Sequence, residues 1–145
     1  VAGLVAGLVA ITPAAGYVSI GASLAIGLAA GALCYKAVLL KERFGYDDTL
    51  DAFGVHGVGG ILGALLVGVF AQKAMNSAGA DGLLAGNPWL FVRQLAGVVA
   101  AGAYSALFTW GILKLVDRWV GLRVTEDEED EGLDESQHGE SGYVM

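Results

Sequence analysis

Between Ala52 and Ala71 the chain runs for 20 residues without a charged side chain, and a single histidine, His56, interrupts the apolar pattern. As a helix this run is about 30 Å long at ~1.5 Å per residue, the thickness of a bilayer's hydrocarbon core. An ionisable side chain in such a span is costly, which makes His56 a candidate site facing a pore or a partner. The alternative at this point is a buried histidine hydrogen-bonded to a neighbouring helix.

On a regular α-helix the residues three, four and seven positions from His56 share its face. These are Phe53 and Ala52 on one side, and Gly59, Gly60 and Gly63 on the other. The glycines strip that face of bulk, so another backbone or a small solute can approach. Gly59 and Gly63 also form a small-xxx-small pair, a device for close helix contact in lipid. So many glycines weaken a helix in water, whereas in a membrane no solvent competes for its backbone.

The same pattern recurs along the chain. Mean hydropathy is +0.61, and the 23 glycines follow no Gly-X-Y period, which points to close-packed membrane helices. Spans are expected over about 1–12, 20–40, 52–71 and 89–116. The first stops at Thr12-Pro13, because proline disfavours helix in the residue before it. Gly3 with Gly7, and Gly27 with Gly31, stand in small-xxx-small register in the first two spans. Trp89 and Trp119 are expected as interfacial anchors of the last. Val1 is not a start methionine and no basic-headed signal peptide follows, so the chain is expected to be the C-terminal portion of a longer membrane protein.

Charge sets an expected orientation. Lys36, Lys41 and Arg43 flank the loop after the second span, and Lys114, Arg118 and Arg123 cluster near the last. The intervening loop, Gln72 to Pro88, has only Lys73, with Arg93 at its far edge. By the positive-inside rule the Lys41–Leu50 loop and the C-terminus face the cytoplasm. Asp48 and Asp51 resemble a helix start, with acids placed against the positive end of the dipole.

The net charge of −7 is concentrated, since nine of the fifteen acids lie between Glu126 and Glu140. From residue 125 to 145 the chain reads as an acidic tail, extended or only conditionally ordered. No basic footprint for nucleic acid is present. Cys34 is a lone cysteine in an apolar run, expected as a small packing residue. Neither a metal-ligand spacing nor a cofactor motif is present, and no cofactor is expected. One histidine without a nearby nucleophile, and carboxylates confined to the ends of spans, do not build an enzyme.

Three stretches together resemble the ammonium transporter (Amt/Mep/Rh) family, closest to its prokaryotic Amt branch. They are GLVAITPAAGYV at 7–18, DDTLDAFGVHGVGGILGALLVGVF at 47–70, and VGLRV followed by EGLDESQHGESGYV at the end. The resemblance implies an all-α, polytopic fold of eleven helices, of which this chain holds the last four, the first truncated. Residues 1–124 are the transmembrane part and 125–145 the cytoplasmic tail. It also implies a homotrimer in the cell membrane, with one pore per subunit.

In that family the histidine of FGVHG, here His56, is the second of two that face each other in the pore. Its partner lies on an earlier helix that this chain does not contain. The implied activity is transmembrane transport of ammonium or ammonia through a histidine proton relay, with Phe53 and Ala52 lining the inner pore. Asp47 and Asp51 are placed at the cytoplasmic pore mouth, where a basic residue of a PII-type signalling protein could dock; helix capping is the other reading of Asp51. Gly132, Leu133, Asp134, His138, Gly139 and Glu140 match the family's regulatory tail, and the acids Glu126 to Glu131 are additional to it. A membrane-bound ammonium sensor, signalling through a PII-type protein with little flux, is the alternative.

Overall fold

The computed structural model describes residues 2–142. Its helices are α1 (Ala2–Ile11), α2 (Ile20–Phe44), α3 (Val58–Phe70), α4 (Pro88–Trp119), α5 (Glu126–Glu131) and α6 (Leu133–Ser136). A 3₁₀ turn, Thr12–Ala14, follows α1, and another, Leu83–Ala85, precedes α4. A π-helical turn, Phe53–Gly57, leads directly into α3. Among the described residues there is no strand. The chain divides into two compact units, one up to Ala101 and one from Gly102, with the boundary inside α4.

Local chemistry sets the ends of these elements. Pro13 lies in the 3₁₀ turn that terminates α1, and Thr12 Oγ1 donates back to the carbonyl of Leu8 at 2.7 Å. Ser19 caps α2, its hydroxyl accepting from the Ala22 amide, and Gly45 closes it in the left-handed region at φ 64°. Lys41 and Arg43 complement the dipole in the last turn. Asn87 caps α4 through the Trp89 amide at 3.2 Å, and Pro88, whose amide would be unpaired anyway, opens the helix.

In the first unit α1, α2 and the π turn with α3 pack together through small side chains. One cluster joins Ala10, Ala14, Ile26, Ala30, Val67 and Ala71, and a second joins Ala6, Cys34 and Val55. The contact stripes are therefore Ala6/Ala10 of α1, continued by Ala14 of the 3₁₀ turn, and Ile26/Ala30/Cys34 of α2. A β-carbon at Gly3, Gly7, Gly27 or Gly31 would meet nothing within 4 Å. The expected small-xxx-small pairs of these two helices thus lie off the seam by about one residue, or ~100° of rotation.

Among the described residues, α3 and the π turn before it use glycine at the seam. Gly59 sits against Val9 and Cys34, Gly63 against the carbonyl of Ala10, and Gly68 against the backbone of Phe91 in α4. The loop after α3 is anchored by its backbone: Gln72 N donates to Tyr17 O at 2.9 Å, and Gly82 N to Ala71 O at 2.8 Å.

Three described helical stretches are long and apolar enough to cross a membrane: Ile20–Phe44, Phe53–Phe70 and Pro88–Trp119. α4 has no buried residue.

In the second unit the acidic stretch is helical rather than extended. Thr125 and Glu128 form a reciprocal capping box: the Thr125 hydroxyl accepts from the Glu128 amide, and the Glu128 carboxylate accepts from the Thr125 amide at 2.9 Å. Four acids in the first turn also lie against the positive end of the helix. Arg123 holds Glu129 with two hydrogen bonds, at 2.9 and 3.1 Å.

Candidate functional site

The FGVHG stretch forms the π turn itself. The Val58 amide donates to the carbonyl of Phe53, five residues back, so this turn holds one residue more than an α-turn. Its two glycines serve different neighbours. A β-carbon at Gly54 would come within 2.9 Å of Val38 Cγ2 in α2, so Gly54 lets α2 approach. A β-carbon at Gly57 would lie 2.8 Å from Phe53 Cδ2, so Gly57 gives the phenyl ring room to fold back along the helix. Phe53 also meets Tyr46 edge-on, with ring centroids 6.1 Å apart.

The wide turn divides the helix into two sides. Gly54, Val55, Gly59, Gly63 and Val67 are buried against α1 and α2. Ala52, Phe53 and His56 are exposed. No group among the described residues hydrogen-bonds the His56 ring, so within this chain it is not a satisfied core histidine. Gly60 remains on the open side, where a β-carbon would meet nothing within 4 Å. Gly59 and Gly63, expected on the histidine's own face, instead belong to the packed seam. An α-helical projection fails here because a π turn advances less per residue.

The start of this turn is held by a carboxylate on the preceding loop. Asp48 Oδ2 accepts from the amides of Phe53 at 3.0 Å and Gly54 at 3.2 Å. Asp48, not Asp51, is therefore the capping acid. Asp51 has φ 56°, the one positive value at a non-glycine among the described residues. Its carboxylate pairs with Lys41 Nζ, which also donates to the carbonyl of Asp48 at 2.9 Å. Asp47 accepts from Thr49 Oγ1 at 3.1 Å.

The sequence alone does not mark Lys41, Gly54 and Gly57 as parts of the site, and it offers Asp48 only as one of two acids at a helix start. Asp48 stands five residues before the amide it binds, and Lys41 ten before Asp51, so no local spacing rule reports either contact.

Of the tail residues, Gly132 turns the corner between α5 and α6 at φ 99°, where a side chain would be strained. Leu133 and Asp134 begin α6, with Leu133 half exposed. His138 N donates to Leu133 O at 3.3 Å, Glu140 N to Asp134 O at 2.8 Å, and Gly139 between them has φ 65°. The stretch from Gly132 to Glu140 is thus one folded corner.

The family model described as the Ammonium Transporter Family matches residues 1–143. The chain belongs to the Ammonium Transporter Family. An ammonium transporter of Aquifex aeolicus is 54% identical over 144 residues, covering 99% of this chain and 33% of that protein. The solved structure of Saccharomyces cerevisiae Mep2 superposes with a TM-score of 0.81 at 37% identity, covering 87% of this chain and 30% of that one. A structure described as "Sensor Amt Protein" superposes at 0.79 with 32% identity, covering 94% and 33%. The chain spans about a third of the length of the curated relatives it matches. Membership makes it part of a membrane protein, with apolar helices to match, and its relatives are named as transporters rather than enzymes.

Proposed function

We propose that this chain is the pore-contributing C-terminal part of an ammonium transporter, and that His56 is one half of a proton-relaying histidine pair. The observation that carries the reading is the sidedness of FGVHG: one side is packed seam, and the other presents His56, Phe53 and Ala52 outward. In the complete protein that open side would meet the earlier helices and the partner imidazole.

Ammonium is a cation and is expensive to move through a narrow apolar passage, whereas ammonia is small and neutral. A passage that favours deprotonation at its mouth and carries imidazole in its middle can pass ammonia and hand the separated proton between ring nitrogens. A neutral imidazole has one donor and one acceptor nitrogen and titrates near neutrality, so two facing rings can share a proton. The Lys and Arg distribution supports placing the Lys41–Leu50 loop and the C-terminus in the cytoplasm of a multi-pass plasma-membrane protein.

The reading carries a homotrimer and regulation by a PII-type protein at Asp47, Asp51 and the 132–140 corner. A basic group docking on Asp51 has to share that carboxylate with Lys41. Failure of a deletion of residues 125–145 to change capture by the PII-type protein would remove the tail's part.

His56→Ala in the full-length protein, with ammonium-coupled current and selectivity against potassium recorded, tests the site. Loss of both is expected, and unchanged values would refute it. The likeness to a sensor keeps a second reading in view, in which the protein responds to ammonium with little flux. Complementation of growth on limiting ammonium separates the two: a transporter rescues and a sensor does not.

A further inference from the structure

We infer that Lys41 is a positioning residue, which sets the direction of the His56 ring by holding Asp51 in a left-handed backbone conformation; this rests on the reading of His56 as a pore imidazole. Lys41 lies in the last turn of α2, and its Nζ closes two contacts on the next loop, the Asp51 carboxylate and the Asp48 carbonyl. The first contact holds a residue at φ 56°, which aspartate enters more readily than most side chains but less readily than glycine. The second fixes the backbone of the residue whose own side chain caps Phe53 and Gly54.

From Asp51 the chain passes straight into the π turn, and the Asp51 carbonyl accepts from the Val55 amide at 2.9 Å. His56 is the next residue. Were Asp51 to relax to negative φ, the Asp48 cap and the Val55 hydrogen bond could not both persist. The turn would then be free to rewind as regular α-helix. Over its five residues a change from π to α winding rotates the rest of the helix by about one residue, and His56 leaves the open side. Lys41 thus joins the end of α2 to the orientation of an imidazole fifteen residues later, without touching the imidazole or any solute passing it.

This account differs from a purely electrostatic one, in which Lys41 and Asp51 only set the charge at the mouth. Glycine takes positive φ without strain, so it can do by itself what Asp51 does only when clamped. The test compares Lys41→Met alone, Lys41→Met with Asp51→Gly, and Lys41→Met with Asp51→Ala, in the complete transporter at matched membrane amounts.

Ammonium transport of Lys41→Met is expected to fall at least about tenfold, the scale on which a misplaced group slows a positioned reaction. Asp51→Gly is expected to restore most of it and Asp51→Ala to restore none. Both remove the same charge, so equal rescue by the two would overturn the proposal, as would wild-type transport by Lys41→Met. If Lys41→Met does not accumulate in membranes, the single variants decide by their ratio: Asp51→Ala is expected to transport at least about tenfold less than Asp51→Gly, whatever the lost charge costs both, and equal transport by the two overturns it. His56→Ala is measured beside them, and unchanged transport there refutes the pore reading of His56 whatever the Lys41 variants do.

Discussion

Gly63 of α3 faces the carbonyl oxygen of Ala10 in α1 with no space between them for a β-carbon. Gly60, less than one turn earlier on the same helix, has nothing within 4 Å of where a β-carbon would be. These two glycines, alike in the sequence, should therefore respond unequally to the same change. Gly63→Ala forces α1 and α3 apart and should cost about 2–3 kcal/mol, as overpacking of a close seam does. Gly60→Ala should cost less, because no atom of α1 or α2 stands where its β-carbon would be. Thermal unfolding of the purified protein in detergent checks both, and equal losses at the two positions would contradict the seam assignment.

Gly57→Ala is expected to separate stability from transport. The atoms its β-carbon would meet, Phe53 Cδ2 at 2.8 Å and Cε2 at 3.1 Å, belong to the tip of an exposed side chain that can swing aside. The unfolding midpoint should shift little, since surface changes away from packed features stay within about 0.5 kcal/mol. Transport should fall if the Phe53 ring lines the passage, and methylammonium uptake at matched protein amounts would show it. Unchanged uptake would take Phe53 out of the pore.

Gly54→Leu should be worse than either. It meets Val38 Cγ2 at 2.9 Å and the Val38 backbone at 3.3 Å, so the obstacle is a helix rather than a side-chain tip. A loss of about 3 kcal/mol or more is expected, seen as failure to recover folded protein from membranes. Normal recovery would mean that α2 and the π turn are not in close contact.

The tail carries a pH dependence. Hydrogen bonds from the Thr125 amide, foremost, and then from the Thr125 hydroxyl and Gln137 hold the Glu128 carboxyl below its ordinary value of 4.5. A carboxyl lowered on folding contributes its stability fully above its unfolded value, and loses it as pH falls through the folded one. Amide-exchange protection of residues 126–131, corrected for intrinsic rates, should thus exceed that of Glu128→Gln near neutrality. The difference should begin to shrink as pH falls below 4.5 and be gone once the pH is below the lowered folded value. A difference that persists in acid would mean that the cap does not depend on the Glu128 charge.

The all-helical membrane character was legible because it rests on run length and hydropathy, which survive any arrangement of the helices. The stop at Pro13 was legible for the same local reason. The glycine pairs of α1 and α2 misled, since a four-residue spacing says that a stripe exists and not which stripe meets a neighbour. The alanines of α1 lie one residue away from its glycines and won the seam. In the tail, high net charge points to an extended chain, whereas the Thr125–Glu128 capping box, at a three-residue spacing, favours the short helix that forms. For His56, its isolation in an apolar run is readable in the sequence, but its neighbours are not, because a regular helical projection does not anticipate a π turn.

By itself the sequence determined that this chain is built from membrane helices and that one imidazole stands inside one of them, since both follow from how apolar side chains and ionisable groups partition into hydrocarbon. The packing of three helices decided which side of that helix is seam and which is open. The reach of Lys41 across the loop decided that its Nζ meets the Asp51 carboxylate and the Asp48 carbonyl. Contacts between residues ten or fifty positions apart leave no local spacing to read, and they exist only once the backbone has brought their partners together.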